Sequence, residues 1–278
     1  MASYKYFNVT FPKEYVAHVE TNRPDKLNSY FEPMWLELRE VFDKLSESPD
    51  ARAIVFSGAG DRAFCSGLDV KAAAEGAIIG PKDKSFDAAR IATQIRRYVL
   101  GFQDCISSLE RCEKPVIAAV HGIAYGLAID LCTATDIRVC AKDTAFSAKE
   151  VDIGIAADIG TLNRLPKVVG NLGWVKEVAL SARVFGAEEA LRVGFVNAVY
   201  DTKEQTVTKA VELASLIATK SPVAVQGTKN ILNFSRDHPV KDSLHYTAVW
   251  NSAALQTKDI SAALLSGMEK RVPRFDKL

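Results

Sequence analysis

Three carboxylates, Asp130, Glu150 and Asp158, fall within KPVIAAVHGIAYGLAIDLCTATDIRVCAKDTAFSAKEVDIGIAADIGTLNRLP, the stretch from Lys114 to Pro166, among apolar and small neighbours. A buried carboxylate without a partner holds a proton or shifts its pKa upward, so several in apolar surroundings form either a paired network or acid/base machinery. One carboxylate and one carboxylic acid held at separate points can take a proton from one atom and deliver one to another. Taken singly, each acid also has a plainer role. Asp130 complements the dipole of a helix first turn, Glu150 pairs with Lys149 at the surface, and Asp158 caps a helix containing Leu162 and Leu165. The coincidence of all three weakens those separate readings.

The elements that position them follow from pattern. Lys114 to Val120 is an apolar, Val- and Ile-rich run after which His121-Gly122 makes a turn, so a buried strand is expected. A helix begins near Tyr125-Gly126, with Leu127, Ile129, Leu131 and Ala134 as its apolar surface. The first-turn N–H groups of such a helix have no intrahelical partner and welcome an oxyanion, which makes the Leu127 N–H a candidate donor.

These residues resemble the crotonase, or enoyl-CoA hydratase/isomerase, superfamily, and within it the Δ3,5-Δ2,4-dienoyl-CoA isomerase branch. The resemblance rests on KPVIAAVHG, the Asp of AIDL, DIRVCAKD, KEVDIGIAADIGTLNRLPKVVGN, SPVAVQGTK and SRDHPVKDSLHY, and it runs from about Arg23 to Trp250. Hydratases of the superfamily carry glutamates at the places of Asp130 and Glu150; the dienoyl isomerases have Asp, Glu and a further Asp, as here. The implied fold is α/β, a crotonase-type spiral of repeated ββα units with a C-terminal helical region. The implied reaction moves the double bonds of a 3,5-dienoyl-CoA to the 2,4 positions by proton transfer from C2 to C6, a step of fatty-acid β-oxidation. On that reading Asp158 is the base at C2, Glu150 the donor at C6 and Asp130 a modulator of their charge.

The resemblance also gives meaning to GAGDRAFCSGLDV, which follows a strand at Ala51 to Ser57 but lacks the GxGxxG of a dinucleotide site. It places the first oxyanion-hole N–H at Ser66 and the second at Leu127, with Gly67, Leu68, Asp69 and Val70 lining the adenine and pantetheine path. TNRPDKLNSY matches a turn near bound CoA, where Lys26 and Leu27 are weak candidates for contact. Leu127 itself departs from the pattern, since Gly is frequent there, and its side chain is expected to narrow the pocket.

The remaining chain supplies context. Strands are expected at Tyr4 to Phe11 and Tyr15 to Glu20, joined at Pro12-Lys13, then an amphipathic helix at Phe31 to Leu45. Residues 76 to 86 read as a loop leading into a long helix through Leu109, and the resemblance makes that region a border of the acyl pocket. Helices are expected at Trp174 to Ser181 and Glu188 to Val193, a strand at Val196 to Tyr200, and four helices after Thr202. The chain therefore divides into a core at 1–201 with the acyl-CoA site and a helical region at 202–278, which the resemblance assigns to assembly of trimers or hexamers.

Composition excludes several classes. The 278 residues carry 35 basic and 34 acidic side chains, a near-balance that gives no footprint for nucleic acid or an anionic membrane. No apolar run reaches membrane-spanning length. The five cysteines include no CxxC pair and read as reduced thiols, and His18, His121, His238 and His245 are too scattered for a metal. No metal or redox cofactor is expected; CoA enters as part of the substrate. The C-terminal Asp276-Lys277-Leu278 is an imperfect form of the peroxisomal Ser-Lys-Leu address, so a peroxisome is expected, with mitochondrion or cytoplasm as alternatives. The rival readings are an enoyl-CoA hydratase, which has no evident use for Asp158, a monoene isomerase with Glu150 alone, and a catalytically inactive binding protein.

Overall fold

The computed structural model describes residues 4–75 and 85–278. Two sheets run side by side. The larger has the order β1-β2-β3-β5-β7-β10, formed by Phe7–Lys13, Val16–Thr21, Ala53–Gly58, Val116–Val120, Ile137–Ala141 and Ala198–Tyr200. The smaller has the order β4-β6-β8-β9, formed by Ala63–Cys65, Ile123–Tyr125, Ala145–Ser147 and Phe185–Gly186. Successive turns of the chain lay one strand into each sheet before a helix returns it: β3 and β4, then β5 and β6, then β7 and β8. This is the expected ββα spiral.

The large sheet is parallel from β2 to β10, with Val55 opposite Ile117 and Ala119 opposite Val139. Parallel strands covered on both faces read as unbroken apolar runs, and β3 and β5 are buried throughout. Alternation still decides which face each residue serves. Ile54, Phe56, Val116, Ala118 and Val120 join the main core, whereas Val55, Ile117 and Ala119 face α8 (Lys203–Ala218). That helix meets them with Ala210, Ala214 and Ala218, small residues at i, i+4 and i+8 that let helix and sheet approach closely. So the first helix beyond residue 202 completes the core. Arg52 ties the same corner to the chain end, bonding Ala218 O, Phe275 O and Asp276 O.

On the other face lie α1 (Glu32–Glu47), α2 (Val70–Glu75), α3 (Ala88–Arg111), α4 (Leu127–Ala134), α5 (Thr161–Val168), α6 (Leu172–Ser181) and α7 (Ala187–Arg192). The helices α9 (Pro222–Asp237), α10 (Val240–Ala254) and α11 (Asp259–Met268) follow α8. Their surfaces leave Leu232, Val240, Leu244, Leu264 and Met268 largely exposed.

One expectation needs correction. The β1–β2 turn lies at Glu14-Tyr15, where Tyr15 has φ 60°, because β1 continues through Pro12 and Lys13 at the sheet edge. Pro is tolerated there since an edge strand leaves some N–H groups unpaired. The short strands of the second sheet, implied by the ββα spiral, were not placed in the sequence: two or three residues are too few to show alternation. Of the expected loop at 76 to 86, residues 76–84 lie outside the described residues.

Candidate active site

Asp130 projects from α4 and is 2% exposed. Its Oδ1 accepts the Thr161 N–H at 2.6 Å, so it caps the first turn of α5 from a neighbouring helix. Gly160 occupies the N-cap position of α5 and has no side chain to do so. Asp158 is therefore not the cap of that helix: it precedes Gly160, and its backbone carbonyl accepts Gln103 Nε2 at 2.5 Å. Nor does Glu150 pair with Lys149, whose Nζ turns to Asp152 Oδ2 at 3.0 Å and Ala182 O at 3.1 Å. Glu150 opens a one-turn helical segment at Glu150–Ile153, and its buried Oε2 has no hydrogen-bond partner among the described residues. The plain roles of Glu150 and Asp158 thus give way, while Asp130 keeps its first-turn place in α4 and caps α5 as well.

The electrostatics follow the geometry. Burial pushes the Asp130 carboxyl up to about 7, with Glu150 pushing the same way, against the Thr161 hydrogen bonds and Arg164. Burial also raises Glu150, and the charge of Asp158 adds to it. Asp158 stands at the open side of the site, and partial burial raises it too. Glu150 is the middle member, coupled to one acid on each side, so protons belong to the set.

The oxyanion donors differ from expectation. The Ser66 N–H is already committed to Leu27 O at 3.0 Å and is not free to meet a substrate oxygen. Leu68 forms a parallel bridge with Tyr30, in which Tyr30 N–H bonds Gly67 O at 2.9 Å and Asp69 N–H bonds Tyr30 O at 2.8 Å. Such a bridge leaves the intervening N–H pointing away, and the Leu68 N–H has no acceptor among the described residues. The Leu127 N–H, at the start of α4, likewise has none. Glycines bring the two loops together. A Cβ on Gly67, which has φ +98°, would stand 3.2 Å from Tyr125 O and 3.9 Å from Leu127 N, and one on Gly126, with φ +54°, would stand 3.7 Å from Gly67 Cα and 3.6 Å from Glu150 Oε1. The uncommitted Leu68 and Leu127 N–H groups therefore stand on two adjoining loops, with Glu150 beside the second.

Around these groups is a cavity of about 140 Å³, lined by Ser66, Gly67, Leu68, Val70 and Leu127 together with the three acids. It shares Leu68, Phe102, Ile153, Ile155, Asp158 and Ile159 with a neighbouring cavity of about 310 Å³, whose further walls are mostly aromatic and apolar, with Glu32, Asp69 and Glu75 among them. Trp35 stacks on Phe102 with centroids 3.8 Å apart, and Tyr98 meets Trp35 edge-on. Asp158 belongs to both spaces, Glu150 only to the inner one.

Asp69 lines the larger cavity, but its carboxylate is occupied. It pairs with Arg23 at 2.7 Å and caps α2 through the Lys71 and Ala72 N–H groups, which fixes the Leu68 loop to the turn at residues 22–29. Lys26 is exposed and lines neither cavity; Leu27 borders a polar depression with Pro24, Gly60 and Arg62. His121 is structural, with Nε2 2.8 Å from Gly60 O. Among the described residues no cluster of His, Cys, Asp and Glu has the arrangement to hold a metal, and no helix is long and apolar enough to cross a membrane.

The family model for enoyl-CoA hydratase/isomerase matches residues 12–277. The chain belongs to this family. It is 46% identical over 97% of its length to the human mitochondrial Δ3,5-Δ2,4-dienoyl-CoA isomerase, covering 81% of that protein. It is 42% identical over 95% of its length to the peroxisomal enzyme of that name from Arabidopsis thaliana, covering 93% of it. Among solved structures of the family, an enoyl-CoA hydratase from Bacillus anthracis superposes with a TM-score of 0.87 at 27% identity, spanning 98% of this chain and 99% of that one.

Sequence reasoning placed Leu68 on the CoA path without its uncommitted N–H, and did not foresee Thr161 as the partner of Asp130. The first depends on which N–H groups a bridge consumes and the second on two helices meeting in space; neither leaves a mark in local pattern.

Proposed function

We propose that this member of the family is a Δ3,5-Δ2,4-dienoyl-CoA isomerase of fatty-acid β-oxidation, with Asp130, Glu150 and Asp158 as its acid set. The observation that carries the reading is the meeting of three acids of raised pKa and two uncommitted backbone N–H groups in one cavity. The names and high identity of the relatives support it. The thioester oxygen takes the Leu68 and Leu127 N–H groups as negative charge develops on it. A proton leaves C2, the electron pairs shift so that C2=C3 and C4=C5 form, and a proton arrives at C6.

The order of acids is the reverse of the sequence-based expectation. Glu150 lies beside Gly126 and Leu127, where the thioester sits, so it is the base at C2. Asp158 reaches the outer cavity and is the donor at C6. Asp130, buried behind Glu150, adjusts the charge. The larger cavity receives the acyl chain; no redox group or metal takes part.

We further assign α9–α11, with their exposed apolar side chains, to assembly of a homotrimer or a hexamer of two trimers. The division at residue 202 then separates the site-bearing core from the helical region, although α8 serves both. The cell compartment follows one of the relatives, peroxisome or mitochondrion.

The test is a spectrophotometric assay with a 3,5-dienoyl-CoA, following the conjugated 2,4-dienoyl thioester, with hydration of a 2-enoyl-CoA measured beside it. Strong isomerisation that Asp158→Asn abolishes supports the reading. Hydration alone, indifferent to Asp158→Asn, makes the protein a hydratase instead.

A further inference from the structure

The acid set rests on a second layer that none of its own members supplies. Arg164, on α5 one turn beyond the Thr161 N–H that Asp130 caps, is largely buried and points back across Gly160. A Cβ built at Gly160 would overlap Arg164 Nη1 while standing 3.8 Å from Asp130 Oδ1, so little more than one absent methyl group separates guanidinium and carboxylate. Opposite charges at such range move a pKa by about 1 to 3 units. Arg164 is held in that posture from α3: Nη2 reaches Glu110 Oε2 at 2.9 Å and Ser107 Oγ at 2.8 Å. Glu110 is itself fixed from the far side by Arg236 of α9.

We propose that Arg164 is a positioning residue for the isomerase, clamped by Glu110 and Ser107 so that it stands across Gly160 from Asp130 and keeps that acid from holding its proton too tightly. Of the other groups facing Asp130, the Thr161 hydrogen bonds also favour its charged form; the rest favour the protonated form or are neutral. Glu150, from the one-turn segment, repels the charge. The Cys65 thiol of β4, pushed up to about 12, and the Cys132 thiol of the same helix, raised further, stay uncharged. Thr161 contributes hydrogen bonds and Arg164 the one cation. The Glu110–Arg164 pair is thus more than a strut between α3 and α5. Without the cation, Asp130 stays neutral at physiological pH, its charge no longer raises Glu150, and Glu150 becomes the weaker base.

This inference rests on the isomerase reading for its consequence, so the experiment has an arm that needs no catalysis. The carboxyl carbons of ¹³C-labelled aspartate are titrated by NMR, and Asp130 is assigned by its loss in Asp130→Asn. In Arg164→Gln the Asp130 midpoint is expected to rise by about one unit. The pH profile of kcat for isomerisation is expected to shift the same way, with little change in KM. Arg164→Lys restores the charge and brings the midpoint most of the way back, even though it loses the fork and melts lower than the parent. Glu110→Gln keeps the Arg164 charge but loosens its clamp, and should raise the midpoint as well; it serves where Arg164→Gln does not fold. An unmoved Asp130 midpoint in either Arg164→Gln or Glu110→Gln, with only a lowered melting temperature, overturns the proposal and leaves Arg164 as a brace. A parent enzyme that fails to isomerise overturns the functional reading without touching the NMR result.

Discussion

Protonation of Asp130 and folding are linked because the carboxyl sits at about 7 in the folded chain against 3.8 in the open one. A raised folded value means that the native state binds the proton more tightly. Its contribution is fully present below the unfolded value and lost as pH climbs to about 7, so stability falls across that interval. Glu150 and Asp158, also raised, act in the same sense. Asp130→Asn keeps an acceptor for the Thr161 N–H while removing the titration. Thermal melts of this variant from pH 4 to 7.5 should therefore show a flatter profile than the parent; an equally steep one would assign the slope elsewhere. If Glu150 is the base, as proposed, Glu150→Gln should cost kcat roughly a hundredfold to ten-thousandfold with KM nearly unchanged, read by the dienoyl-CoA assay. At Leu127 only the side chain departs from the family pattern. If it narrows the inner cavity, Leu127→Gly raises turnover of short dienoyl-CoAs; equal turnover would show that its 3% exposed side chain serves the core alone.

At the scale of elements, α8 is the sharpest case of sequence deciding contact. Ala210, Ala214 and Ala218 fit against Val55, Ile117 and Ala119 with no room for more. Ala214→Leu should destabilise the fold by about 1 to 3 kcal/mol, measured by denaturant unfolding, and leave the pH profile of kcat in place. The helix was legible from its periodicity, as were α1, the long α3 and the strand β5. What was not legible is instructive in kind. Short strands β4, β6 and β8 exist because each follows a longer strand into the second sheet, β9 comes back from α6 to pair with β8, and two or three residues carry no period of their own. Ser66 looked like an oxyanion donor because its type and place in CSGLD matched a motif, yet its N–H is consumed by Leu27 O. The acids, by contrast, stood out because carboxylates in apolar runs are rare. That Glu150 stands beside Gly126 is a contact across the fold that local pattern does not carry.

For the whole molecule, the exposed Leu232, Val240, Leu244, Leu264 and Met268 need a cover. Sedimentation should give three or six times the 30.3 kDa chain. Leu244→Lys with Met268→Lys should shift it toward the single chain, whereas an unchanged mass would move the interface away from α10 and α11. The pairing of Val55 with Ile117 has a further consequence, in time rather than in space. β3 cannot gain its central neighbour until α3 has been made and the chain has come back, and parallel pairs so far apart in sequence close slowly. On a ribosome adding roughly 5 to 20 residues per second, Ile54, Val55 and Phe56 wait on the order of seconds with an open sheet edge. During synthesis those apolar residues are open to association with other chains, and dilution from denaturant should return the protein in highest yield when it is scarce.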